Sequence, residues 1–314
     1  MTTPPEVYVI LAVLGLVLIV ASVIGIVLRR CAKDAKSLTT VRNLNARIAA
    51  WWAIVLIAGA ACLAGRGALT GLFALISFCS LREVMTIMPG HRADRGALLA
   101  AFWLVLPIQY WLVWAGWYGL FVIFIPVYGF IALPILTAAA ADTNDFLARN
   151  AETQWGLMIA VYCISYVPAL LMLQVPTFEN RSVLLMAFLL VVVESSDVLQ
   201  YVFGKLFGRH QIAPRLSPSK TVEGFAGGIV GATILGVCLW RITPFAPAQA
   251  AGMALAIAVI GFLGGLVMSA VKRDRGAKDW GRLIAGHGGM LDRLDAVCFA
   301  APIFFHLTRY FFTT

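Results

Sequence analysis

Val7-Tyr-Val-Ile-Leu-Ala-Val-Leu-Gly-Leu-Val-Leu-Ile-Val-Ala-Ser-Val-Ile-Gly-Ile-Val-Leu28 carries no charge and lacks the apolar–polar alternation of a half-buried strand. An α-helix rises about 1.5 Å per residue, so about 20 such residues cross the hydrocarbon core of a bilayer. Met1–Glu6 contains no Lys or Arg, the apolar run is too long for a signal-peptide core, and no clear small-residue cleavage site precedes Arg29. The stretch is therefore expected to be a retained membrane span.

The same reading extends down the chain. Of the 314 residues, 61% are hydrophobic and 12% charged, and the mean hydropathy is +0.90. A soluble domain carries about 25% charged residues, so this chain lacks the polar side chains to cover a water-facing surface. Further apolar runs fall at 49–64, 69–87, 97–114, 119–139, 155–173, 184–203, 224–240, 252–270 and 296–312. They are apolar all round, unlike the short alternating strands of a barrel. The expected fold is all-α, a polytopic transmembrane helical bundle of about ten spans with catalytic loops on the cytoplasmic side.

Cations set the orientation, because Lys and Arg gather on the cytoplasmic face. With ten alternating spans, the loops 29–48, 88–96, 140–154, 204–223 and 271–295 share one side and hold 19 of the 24 Lys and Arg. That side is expected to be the cytoplasm, in a bacterial inner membrane, with both termini outside. The net charge of +9 is then a topological signal that also attracts anionic headgroups, and no nucleic-acid partner is needed to explain it. The six cysteines are scattered without a CxxC pair and are expected to be packing residues. His91 and His306 are expected to be structural, and Arg82-Glu83 to form a local ion pair or lie near the cytoplasmic interface.

Polar information concentrates after Leu184. Residues 1–183 are expected to be scaffold spans, and 184–314 a catalytic region with signature loops 204–224 and 269–295. Glu194 and Asp197 are three apart inside a span and share one helix face. Ionisable groups at that depth are costly and usually face a polar cavity or a partner. An ion relay in a transporter is one reading of them. In the first loop, Ser217-Pro-Ser-Lys-Thr places hydroxyls, amides and an ammonium just before a helix start, which suits a phosphate as well as it suits simple anchoring. In the second, Lys272, Arg273, Arg275, Lys278, Arg282 and Arg293 alternate with Asp274, Asp279, Asp292 and Asp295. Carboxylates weaken a purely anion-binding patch, and a divalent cation gives them a purpose: Mg²⁺ takes one or two carboxylates plus phosphate oxygens.

Together these segments resemble the phosphatidate cytidylyltransferases, also called CDP-diacylglycerol synthases. The residues that carry the likeness are Ser269, Lys272-Arg273, Lys278-Asp279, His287-Gly288-Gly289 and Asp292-Arg293-Leu294-Asp295, with Phe203-Gly-Lys-Leu-Phe-Gly-Arg-His210, Ser217-Pro-Ser-Lys-Thr-Val-Glu-Gly224, Asp197 and Tyr201 upstream. The likeness covers about residues 184–312. It implies CTP and phosphatidate as substrates, CDP-diacylglycerol and pyrophosphate as products, and Mg²⁺ with room for a second cation. It also implies residue roles. Asp279, Asp292 and Lys278 would be catalytic, and Asp279, Asp292, Asp295 and Asp197 would hold metal. Ser217, Lys220, Lys272, Arg273, His287, Gly288, Gly289 and Arg293 would bind substrate.

A related enzyme acting on a prenol or ether lipid is an alternative, and a homodimer is compatible. Many bacterial members read Gly-Asp-x-x-Glu-Ser before the Lys-Arg pair, whereas this chain reads Gly264-Gly-Leu-Val-Met-Ser269. Gly265 and Met268 thus replace two carboxylates. Either the metal is held differently, with help from Asp274 or Glu194, or the chain is a divergent paralogue.

Overall fold

A computed structural model describes residues 4–31, 34–88, 94–176, 178–284 and 288–313. Ten helical segments coincide with the ten apolar runs: α1 (Pro5–Cys31), α2 (Ala35–Ala64), α3 (Arg66–Ile87), α4 (Arg95–Ala115), α5 (Tyr118–Ala138), α6 (Phe146–Met172), α7 (Ser182–Phe207), α8 (Val222–Cys238), α9 (Pro247–Asp274) and α10 (Asp295–Phe312). Among the described residues, eight are long and apolar enough to cross a membrane, namely α1–α7 and α9; α8 is a shorter apolar helix. The amphipathic α10 turns Val297, Cys298, Ala301, Phe304 and Phe305 into the bundle. The chain is a polytopic helical membrane bundle.

Local sequence explains the breaks and bends. Gly116 ends α4 at φ 73°, a left-handed conformation that glycine adopts without a Cβ penalty. α4, α5 and α6 each contain a π-helical turn, at 101–105, 124–129 and 158–163. The core centres on Tyr166, Phe121 and Phe305, with Tyr166 edge-on to both other rings. His306 closes this cluster through the Tyr166 hydroxyl at 3.2 Å, the structural place expected of it. α1 turns most of its surface outward as exposed Val, Ile and Leu, suited to lipid.

The alternation of loops is visible in their contacts. Arg149 pairs with Asp94 at 3.1 Å and Asp142 at 3.2 Å. Arg275 pairs with Glu152 at 2.8 Å, and the Arg273 guanidinium donates to the Leu216 carbonyl. These contacts join loops of the cation-rich set to one another. At the other end, Arg181 pairs with Glu6, and Arg309 lies over the Tyr118 ring.

The close pairing of α7 with α8 brings polar side chains together. Gly224, Gly227, Gly228 and Gly231 form the face of α8 against Gln200, Phe203 and Leu199. A Cβ on Gly231 would come within 2.7 Å of the Leu199 side chain, and one on Gly224 within 2.7 Å of the Gln200 carbonyl. Small residues let backbones approach this closely in a membrane.

One element departs from the all-helical expectation. The segment read as a loop at 204–224 contains a two-stranded antiparallel hairpin, β1 (Gln211–Ala213) and β2 (Ser217–Thr221). Pro214 sits second in a turn closed by the Leu216 N–H donating to the Ala213 carbonyl, where its fixed φ is favoured. Glu223 ties down the hairpin base by accepting from the Arg209 and His210 N–H groups.

Candidate functional site

Where α7, β2, α8, α9 and α10 converge, a cavity of about 180 Å³ opens. α7 supplies Asp197, Gln200 and Tyr201, one helix face by their three- and four-residue spacing. The hairpin and the start of α8 supply Ser219, Lys220, Thr221 and Gly224, α9 supplies Phe262 and Gly265, and α10 supplies Asp295. The Thr221 hydroxyl accepts from the Gly224 N–H at 3.1 Å and caps α8, whose positive end therefore faces the cavity.

Lys220 is the centre of this arrangement. Its ammonium lies 4.6 Å from the Phe262 ring centroid, a cation–π contact. Burial lowers its pKa, while the negative charges of Asp197 and Asp295 pull it back up. A Cβ on Gly265 would come within 2.8 Å of the Lys220 Nζ. The missing carboxylate thus has a structural counterpart: at the position where the sequence departs, the space beside the backbone belongs to an ammonium. Arg293 lies in the short turn just before α10, two residues from Asp295.

Beside the cavity, the second signature segment is built around Asp292. Its Oδ1 accepts from the Lys272 ammonium at 2.8 Å, and its Oδ2 accepts from the Trp280 and Gly289 N–H groups at 2.8 and 2.9 Å. Lys272 is 8% exposed. Taking one partner from such a buried pair costs about 3–5 kcal/mol, since the other charge is left uncompensated. Gly288 sits at φ +84°, and a Cβ there would lie 2.8 Å from Asp292 Oδ2, so glycine is required both by conformation and by space.

Glu83 of α3 completes the segment, a part not expected of it from sequence, where it reads with Arg82 as an ion pair or an interfacial residue. Its carboxylate accepts from the Met290 N–H at 2.8 Å and the Leu291 N–H at 3.0 Å, capping the short turn that presents Asp292 and Arg293. Gly281 and Gly289 make room for it. The ion pair expected between Arg82 and Glu83 is not formed among the described residues; Glu83 is turned inward to the loop backbone. The available signal was a lone carboxylate in an apolar run, which must find partners.

The residues expected to act together divide into two groups. Asp197, Lys220 and Asp295 line one cavity, and Lys272 pairs with Asp292 in the turn that precedes Asp295. Lys278, Asp279 and Arg273 are exposed outside its lining. Arg273 joins the hairpin turn to the end of α9 through the Leu216 and Ala277 carbonyls. Ser217 is half-buried on the hairpin, its hydroxyl 3.5 Å from that of Ser219. Gly288 and Gly289 shape the Asp292 turn, whereas His287 lies outside the described residues.

Among the described residues no group of three or more His, Cys, Asp or Glu side chains could hold a metal on its own. The Asp197–Asp295 pair still fits a hard divalent cation, which takes few protein carboxylates when substrate phosphates complete its shell. Asp292 fits less well, because three donors already engage it.

Similarity to known proteins agrees with this arrangement. The cytidylyltransferase family matches residues 45–311. The chain is 37% identical over 271 residues to YnbB of Escherichia coli (strain K12), an uncharacterized protein, covering 85% of this chain and 88% of that one. It is 31% identical over 195 residues to the phosphatidate cytidylyltransferase of Staphylococcus aureus (strain COL), covering 59% and 74%. With that of Mycobacterium leprae (strain TN) it shares 44% identity over 116 residues, 37% of each chain. With a match that reaches from α2 to the end of α10 and takes in the whole polar cavity, the chain belongs to the cytidylyltransferase family and is a membrane-embedded nucleotidyltransferase.

Proposed function

We propose that the chain transfers the cytidylyl group of CTP to phosphatidate, releasing pyrophosphate and forming CDP-diacylglycerol. The observation that carries this reading is the cavity that a half-buried lysine shares with two carboxylates at the capped start of α8. That arrangement can hold a triphosphate: the ammonium and the helix terminus attract the phosphate charge, and the carboxylates admit a cation.

In the reaction an oxygen of the lipid phosphate attacks the α-phosphorus of CTP in line, the bond to the bridging oxygen breaks, and pyrophosphate leaves with the electron pair. No proton has to be removed from a phosphate already ionised at neutral pH. The chain's task is therefore positioning and charge neutralisation. Lys220 holds the transferred phosphate, and Arg293 and Lys272 meet the charge of the departing pyrophosphate. Asp292 keeps Lys272 oriented. Asp197 and Asp295 would hold Mg²⁺, which would supply further neutralisation of the triphosphate. Lys278, Asp279 and Arg273, on the exposed rim, receive the nucleotide from water. The chemistry lies in residues 184–314, braced by Glu83, and faces the cytoplasm of a bacterial inner membrane, as the cation bias supports.

The test is pyrophosphate release by purified protein given CTP, Mg²⁺ and phosphatidate. Lys220→Met and Asp292→Asn should each lower turnover about 100-fold or more, the scale on which electrostatic stabilisers act. Undiminished turnover in both variants, or wild-type turnover confined to acceptors other than phosphatidate, overturns the reading.

A further inference from the structure

A second and larger cavity, about 360 Å³, lies between α3 and the loop that follows α9. Its walls are Cys79, Arg82, Glu83 and Thr86 of α3 and Trp280–Leu283 of the loop. Arg82 and Arg282 are both exposed, and among the described residues neither has a carboxylate partner. Glu83, the one carboxylate in the lining, has both oxygens engaged by the Met290 and Leu291 N–H groups. The Thr86 hydroxyl donates back to the Arg82 carbonyl. Trp280 is 2% exposed, and its indole N–H is buried without an acceptor. The cavity thus carries two guanidinium groups without a carboxylate partner among the described residues, and its one carboxylate is engaged by backbone N–H groups.

Donors without acceptors call for an anion, and two guanidiniums suit phosphate, which they can meet with paired N–H groups. Position supplies the rest. Arg82 lies five residues before the end of α3, about 7 Å along the helix axis. An arginine at that depth on an apolar helix is costly unless its head reaches the phosphate layer. Leu283, 54% exposed beside Arg282, gives the same edge an apolar lip.

We propose that this cavity seats the phosphate of an anionic membrane lipid, gripped by Arg82 and Arg282 with its acyl chains leaving past Leu283. This site goes beyond the transfer reaction and does not depend on CTP. A lipid held there presses on the segment that carries Trp280 and, through Glu83, on the turn that carries Asp292.

The test uses detergent-purified full-length protein, without CTP, and dioctanoyl phosphatidylglycerol, an anionic lipid that is not the proposed substrate, as the probe, with retained lipid counted by native mass spectrometry. Wild type should retain the lipid, and Arg82→Gln with Arg282→Gln together should weaken retention about tenfold or more, the loss expected for charge-assisted contacts. Dioctanoyl phosphatidylcholine should bind poorly, and inorganic phosphate should not displace the lipid at equal concentration. Unchanged retention in the double variant, equal retention of phosphatidylcholine, or displacement by inorganic phosphate each overturns the proposal. A photoactivatable phosphatidylglycerol on the wild-type protein needs no variant: it should label peptides containing 79–86 or 280–284, and labelling confined elsewhere also overturns it. Neither measurement reads turnover, so the lipid site can fail while the CTP reaction stands, and the reverse.

Discussion

Both oxygens of Glu83 accept from backbone N–H groups across a sequence gap of more than 200 residues. A hydrogen bond to a charged acceptor contributes about 1.5–3 kcal/mol and more is lost when a donor is left unpaired. Glu83→Gln keeps one acceptor and turns an amide donor toward an N–H, so it should release the 288–292 turn without unfolding the bundle. Turnover is expected to fall about tenfold, and tryptic cleavage after Lys278 or Arg282 to quicken about fivefold, as local opening becomes easier. Unchanged cleavage together with unchanged turnover would show that the contact positions nothing. Glu83→Asp, which keeps both acceptors on a shorter arm, should recover part of the loss.

At this scale the sequence was informative in an uneven way. Asp197 stood out as charge inside an apolar span, Lys220 by its place before a helix start and Asp295 as a carboxylate among cations, and the fold brings them to one cavity. The roles of Asp292 and Lys272 as each other's partners could not be read, because spacing along the chain does not say which cation meets which carboxylate. The replacement of a carboxylate by Gly265 was visible, yet only packing shows that Lys220 stands beside it.

Among the elements, α8 is the one whose composition decides its place. A helix with glycine at 224, 227, 228 and 231 has little apolar surface of its own on that face, and it is held by α7 lying against its backbone. A Cβ on Gly228 would collide with the Gln200 side chain and come within 3.0 Å of its backbone nitrogen. Gly228→Ala should therefore push α7 and α8 apart and lower thermal stability, by about 1–3 kcal/mol as overpacking does. Gly252→Ala in α9 is the matched control, since a Cβ there meets nothing. Equal melting temperatures for the two variants would remove the packing argument. Helix positions were legible because every run is apolar over a membrane's width. The β1–β2 hairpin was not: Pro214 and Pro218 read as loop, and a two-stranded ribbon tolerates Pro218 only because both strands are edges.

Across the whole molecule, the polar contacts divide by side. Arg149, Arg273 and Arg275 join the cation-rich loops to one another, whereas Glu6 meets Arg181 and Arg309 meets Tyr118 at the opposite end. With ten alternating segments, nineteen of 24 cations fall on one side, the bias expected of a cytoplasmic face. The hairpin of the candidate site and the 280–283 wall of the α3 cavity both belong to loops of that cation-rich set. This arrangement makes a prediction for the intact protein. In a background freed of its six native cysteines, single cysteines at Asp142, Arg215 and Asp274 should react with a membrane-impermeant maleimide only from the cytoplasmic face. Single cysteines at Glu179 and Arg241 should react only from the other. None of these positions belongs to a buried pair that the labelling itself would have to break, apart from the partly exposed Asp142. Reaction of Arg215 and Glu179 from the same side would undo the ten-segment alternation, and with it the placing of the nucleotide cavity on the cytoplasmic face.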